Sequence, residues 1–214
     1  MKYAYENLSD GQFELLITFL CQKLLGISVQ AFCTGADGGR DAKFSGTAEL
    51  HPSKANPWVG LVVIQGKHTN GYNRSFSETD FFAPKPNSTC IVAKEMPRIK
   101  ALRESKQLDH YMLFANRRLS AIADADIVSF ISAGSGIPAS SIFLCGLEQL
   151  DLWMKLFPDV AKNAELDPVD SPLIIKSGRS VGRCAGLRAT QGDGQGDPSS
   201  PARTSFQLRR KERA

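Results

Sequence analysis

Two short segments carry the residues best suited to chemistry: Gly35-Ala36-Asp37-Gly38-Gly39-Arg40-Asp41 and Ile64-Gln65-Gly66-Lys67. The first is a glycine-rich turn that delivers a carboxylate, Asp41, onto a short strand. The second ends an apolar strand with an amide oxygen and an ammonium two residues apart. Side chains two apart on a strand point to the same face. Gln65 and Lys67 therefore project together, and with Asp41 on the neighbouring strand all three converge. A carboxylate, a second oxygen donor and a lysine at one point suit Mg²⁺, with Mn²⁺ as a substitute, and the activation of a water. That is the chemistry of phosphodiester hydrolysis.

Other polar residues compete for these roles. Asp37 precedes Gly38-Gly39, where an aspartate most often closes a turn through its own hydrogen bond. Asp41 is the better candidate because it leads into the strand. Arg40 lies between the two and is placed to touch a phosphate. His68 follows the lysine and by alternation faces the other way, as a residue at a strand end. His51 and His110 have no ligand partner at useful spacing. Gly134-Ser135-Gly136 lacks the lysine-hydroxyl ending of a phosphate loop and has no strand before it.

The elements that must position these groups can be read from periodicity. Ser9 and Gln12 form a capping box for a helix whose face is Phe13, Leu16, Ile17, Leu20, Leu24 and Leu25, ended by Gly26. Short strands are expected at 28–32 and 41–44, with a polar loop at 51–57. The run from Trp58 to Lys67 reads as a strand buried on both faces. Residues 70–88, rich in Asn, Ser, Gly and Pro, read as a loop. A helical region over 89–108, interrupted near Pro97, leads to a strand at 111–115. A helix at 122–133, a strand at 142–145 and a helix at 147–157 follow. The order implies an α/β fold, a mixed central sheet flanked by helices.

The chain has 214 residues, 42% of them hydrophobic, enough for one full core. Its net charge of +4 is unevenly spread. Residues 176–214 hold nine Lys/Arg against three acids, a net of +6, so the remainder carries −2. The basic character belongs to the tail, and nucleic-acid contact by the folded part must come from a local patch. Residues 178–202 contain six glycines and two prolines. The expected organisation is thus a domain over 1–175 and a low-complexity basic tail, disordered, over 176–214. Five widely spaced cysteines without a C-x-x-C pair argue against a zinc site or disulfide framework and for a reducing cytoplasm. No apolar run reaches the roughly 18 residues of a membrane span, and no signal peptide is visible.

The glycine-rich turn ending in Asp41, followed by a buried strand ending in Gln65-Gly66-Lys67, resembles the PD-(D/E)xK nuclease superfamily. Within it the chain is most similar to the Mrr-like branch of type IV restriction and antiphage defence nucleases, which often has Q-x-K in place of E-x-K. The likeness runs from the first helix to about Phe157 and implies a restriction-endonuclease-like fold with Mg²⁺-dependent DNA cleavage. On that resemblance Asp41 is the metal-binding carboxylate and Gln65 the second ligand. Lys67 orients or deprotonates the water and stabilises the phosphorane. Glu14, in the first helix, matches an acidic residue that many members use as an extra ligand. It is equally suited to favouring the helix dipole. Gln65 departs from the usual carboxylate: a neutral amide binds Mg²⁺ more weakly and leaves the site one charge short. Arg117 and Arg118, just past the strand at 111–115, fall where related nucleases approach DNA and would grip its backbone. The implied partners are double-stranded DNA, a fused or separate NTPase or sensor component, and a second copy of the chain, in restriction or antiphage defence.

Two other readings are consistent with the same residues. One is a catalytically silent domain of this fold that binds DNA or serves assembly within a larger defence system. The other is a scaffold in which the glycine-rich segment is merely a tight turn.

Overall fold

The computed structural model describes residues 3–32, 41–85 and 88–166. The glycine-rich turn before Asp41, including Asp37 and Arg40, and the basic tail over 176–214 lie outside the described residues.

Helix α1 spans Asp10–Leu25 and starts as its sequence dictates. The Gln12 amide donates to Ser9 Oγ at 3.2 Å, and the Ser9 amide donates to Gln12 Oε1 at 2.9 Å, satisfying two donors that a helix start leaves unpaired. Gly26, at φ 125°, ends it in a conformation that disfavours other residues. Strands β1 (Gln30–Ala31), β2 (Ala42–Thr47) and β3 (Val59–Lys67) form an antiparallel meander. Strands β4 (His110–Ala115) and β5 (Ile142–Cys145) extend it in parallel, reached through helices α2 (Ile91–Glu104) and α3 (Ala121–Ser135). Helices α4 (Leu147–Leu156) and α5 (Pro158–Asn163) complete the described chain. The sheet order is β1-β2-β3-β4-β5, so the protein is α/β with a mixed, open, five-stranded sheet.

Alternation along β3 and β4 sorts the core into two layers. Val62, Ile64, Met112 and Phe114 pack with Phe13, Leu16 and Leu20 of α1 and with Trp153 of α4. Val63, Tyr111, Leu113 and Ala115 pack with Val92 and Ile99 of α2 and Ile127 and Ile131 of α3. Gln65 and Lys67 continue the second face, toward α2.

Two local expectations differ from the structure, and a third is met with an unexpected anchor. Pro97 sits inside α2 without ending it. Proline removes one backbone donor and crowds the preceding turn, but burial of Val92, Glu95 and Ile99 holds the helix together on both sides. The described part of the 70–88 segment, residues 70–85 and 88, is irregular as expected, yet it is anchored: Phe76, Phe81 and Phe82 are buried in the α2–α3 core layer. The helix expected at 147–157 is not the last: it ends at Leu156, and α5 follows from Pro158, since proline is tolerated at the first position of a new helix.

Candidate active site

Where β2 begins and β3 ends, the two strands meet the first turns of α1. The Asp41 amide donates to the Ile64 carbonyl at 3.2 Å, which continues the β2–β3 ladder by one residue. The Asp41 side chain turns onto the end of β3, where Oδ2 accepts from the Gly66 amide at 2.5 Å. Glu14 lies one helical turn beyond Asp10 on α1. A cavity of about 190 Å³ lies here, with Phe13, Asp10 and Glu14 on one side and Asp41, Gly66, Lys67 and His68 on the other. Three acidic residues and a lysine therefore line one small polar space.

His68 ties α1 to this strand end. Its Nδ1 lies 3.0 Å from Asp10 Oδ1, and its Nε2 lies 2.9 Å from the Tyr5 carbonyl oxygen. The ring also packs against Phe13, with centroids 5.6 Å apart. Its position agrees with the expected alternation with Lys67. The ring acts structurally, pinning the start of α1, and with it Glu14, against β3.

On the opposite face, Lys67 Nζ makes an ion pair with Glu95 Oε1 at 2.9 Å. Glu95 is a buried residue of α2, and its Oε2 is 3.3 Å from Arg98 Nη1. Burial works to raise the Glu95 carboxyl. The hydrogen bond and charge of Lys67, a hydrogen bond from the Gln65 side chain and the charge of Arg98 outweigh it, and the group titrates below the ordinary glutamate range. Gln65 is only 2% exposed, and its Oε1 accepts from the Tyr111 hydroxyl at 2.6 Å. Burial, then the nearby charges of Glu95 and Asp41, pushes the Tyr111 hydroxyl well above its usual value, which keeps it a neutral donor.

The sequence-derived candidates thus divide. Asp41, Glu14 and Lys67 line the cavity. Gln65 points to the same face as Lys67, as its spacing requires, but its amide is engaged by Tyr111 and Glu95 and is not part of the cavity wall. Arg117 is not a surface cation: its side chain is 4% exposed and 2.9 Å from Asp80 Oδ2, 3.5 Å from Glu78 Oε2 and 3.3 Å from the Ser75 carbonyl. Its guanidinium also lies 4.9 Å from the centre of the Phe81 ring. It clamps the 74–82 loop to the end of β4 and cannot reach a DNA backbone without losing these partners. Arg118 is 62% exposed, with Nε 3.3 Å from Glu148 Oε1, a surface pair open to competition from a phosphate.

Among the described residues no three His, Cys, Asp or Glu side chains form a metal-binding group. The donor set suits Mg²⁺ nonetheless. This ion prefers oxygen ligands and is commonly held by one or two carboxylates, with waters and substrate phosphate completing its shell. Asp41 and Glu14, which line the cavity with Lys67, are the residues that could supply such carboxylates.

Nothing in the sequence singles out Glu95 or Asp10. Glu95 stands 28 residues after Lys67 on a helix whose rotation against the sheet no local pattern specifies. Asp10 has a sufficient explanation as a first-turn acid on α1. No protein-family model and no curated protein matches the chain.

Proposed function

We propose that this chain is a metal-dependent endonuclease of restriction-endonuclease-like fold, hydrolysing phosphodiester bonds of double-stranded DNA in restriction or antiphage defence. The observation that supports this reading is the meeting of Glu14, Asp41 and Lys67 around one small polar cavity at the end of β3. Asp41, fixed by the Gly66 amide, and Glu14, carried by α1, would hold Mg²⁺ or Mn²⁺. The ion would supply charge neutralisation at the phosphate and activation of water. Lys67 directs its ammonium at the attacking water and the phosphate oxygens, where negative charge grows as the water adds to phosphorus. One P–O ester bond then breaks, giving a phosphate monoester and a hydroxyl. Arg118, and Arg40 beside Asp41, would contribute contacts to the DNA backbone.

A second reading is a silent domain of the same fold used for DNA binding or assembly. It is favoured by the engagement of the Gln65 amide oxygen with Tyr111, which takes up one of the two lone pairs through which Gln65 would serve as the second ligand. Cleavage of plasmid DNA by the wild type and by Lys67→Ala, with Mg²⁺, with Mn²⁺ and with EDTA, separates the two. Metal-dependent nicking that disappears in a folded Lys67→Ala protein supports the nuclease. Equal cutting by the mutant removes Lys67 from the mechanism. Absence of cutting together with no Mg²⁺-dependent rise in melting temperature favours the silent domain.

A further inference from the structure

We infer that Gln65 is a hydrogen-bond linker rather than a metal ligand, and that Glu95 is the positioning residue that aims Lys67. The catalytic half of this inference rests on the nuclease reading; the wiring does not. The Tyr111 hydroxyl can only donate to an amide oxygen, and it does so to Gln65 Oε1 at 2.6 Å. That leaves the Gln65 NH₂ as the donor to Glu95, whose carboxylate accepts from it. Both Tyr111 and Gln65 are buried, so each polar atom needs its partner. An amide is the one side chain of this length that accepts from a hydroxyl on one side and donates to a carboxylate on the other.

A glutamate at position 65 would still accept from Tyr111, but it would set a second carboxylate against Glu95. Two such groups in a buried site cannot both ionise without cost. The negative charge beside Lys67 therefore sits on α2 and not on β3. Glu95 divides its oxygens, Oε1 toward Lys67 at 2.9 Å and Oε2 toward Arg98 at 3.3 Å. An ammonium has three donors, so the pair with Glu95 fixes the Lys67 head group and leaves two N–H groups to serve a substrate, on a residue that also lines the cavity. The chain Tyr111–Gln65–Glu95–Lys67 runs from the buried face of β4 to the wall of the cavity.

The test uses the full chain with Glu95→Gln, Gln65→Glu and the swapped pair Gln65→Glu/Glu95→Gln, read by melting temperature and by cleavage kinetics. Gln65→Glu should melt about 5 °C or more below the wild type. The swap restores an amide facing a carboxylate and should recover most of that loss. Glu95→Gln should lower kcat roughly tenfold or more and leave KM for DNA within about twofold, because it disturbs the aim of Lys67 and not substrate binding. If Glu95→Gln does not fold alone, the swapped pair takes its place in the kinetic comparison.

Wild-type kcat in folded Glu95→Gln overturns the positioning role. A swap that melts no higher than Gln65→Glu overturns the linker. A wild type that cuts no DNA beside a swap that recovers its melting temperature upholds the wiring and removes the nuclease reading.

Discussion

Asp41 Oδ2 accepts a hydrogen bond from the Gly66 amide at 2.5 Å, so the carboxylate that opens β2 is fixed by the backbone that closes β3. The glycine matters on its other side as well. A Cβ at position 66 would lie 3.5 Å from the Phe13 ring and 3.6 Å from the same Asp41 oxygen, in ordinary contact with both. Any larger side chain would grow into the cavity those residues line. The G in Q-G-K thus keeps the floor of the cavity open beneath the carboxylate.

Replacing Asp41 with Asn separates charge from geometry. The amide oxygen can still accept from Gly66, so the fold should lose only about 1 kcal/mol, the difference between a charged and a neutral hydrogen bond. The negative charge offered to a cation is gone. A titration of melting temperature against Mg²⁺ should rise for the wild type and stay flat for Asp41→Asn, with Glu14→Gln between the two. A metal-dependent rise of wild-type size in Asp41→Asn would place the cation elsewhere.

The adjacent arginines 117 and 118 should respond in opposite ways to substitution. Arg117 draws Asp80 below its usual carboxylate range, chiefly by its hydrogen bond and also by its charge, and it lies over the Phe81 ring. Removing it leaves Asp80 and Glu78 with Arg74 as their cation but empties a buried site against Phe81, so Arg117→Ala should cost about 2 kcal/mol. The half-exposed carboxylates keep the figure below that of a fully buried pair. Arg118→Ala breaks only an exposed pair and should cost less than about 1 kcal/mol. If the nuclease reading holds, Arg118→Ala should weaken DNA binding and flatten its salt dependence. Urea denaturation together with a binding titration at two salt concentrations checks both halves. A destabilised Arg118→Ala beside an unaffected Arg117→Ala would reverse the assignment.

Most of the architecture is legible in the sequence because its signals are local. The capping box at Ser9, the apolar run into Lys67 and the stop at Gly26 each follow from two to ten neighbouring residues. The convergence of Asp41 with Lys67 follows from strand period and register alone. What escapes depends on how elements pack. Nothing near Arg117 in the chain reveals that Asp80, 37 residues earlier, will cover it. Glu95 looks like any helical glutamate until α2 is laid on the face of β3 that carries Lys67. Gln65 reads as a weakened ligand in the sequence because its partners, Tyr111 and Glu95, are 46 and 30 residues away.

His51, outside the candidate site, makes the fold sensitive to acid. Its ring is buried between Trp58 and Phe143, with centroids at 4.5 and 4.8 Å. Its Nε2 has no hydrogen-bond partner among the described residues. Burial, aided by the charge of His110, lowers its pKa to about 4 from the usual 6.5. Between those values the unfolded chain binds a proton that the native state refuses, so stability falls as the pH is lowered through this window. At 1.36 kcal/mol per unit the loss across this window is about 3 kcal/mol. His51→Phe keeps an aromatic ring against Trp58 and Phe143 without a titrating nitrogen. The wild type should therefore lose more stability than His51→Phe between pH 7 and pH 4, measured by urea denaturation across the range. Parallel curves for the two proteins would show that the acid sensitivity comes from the carboxylates, with Glu95 and Asp80, both held below their usual values, the first to examine.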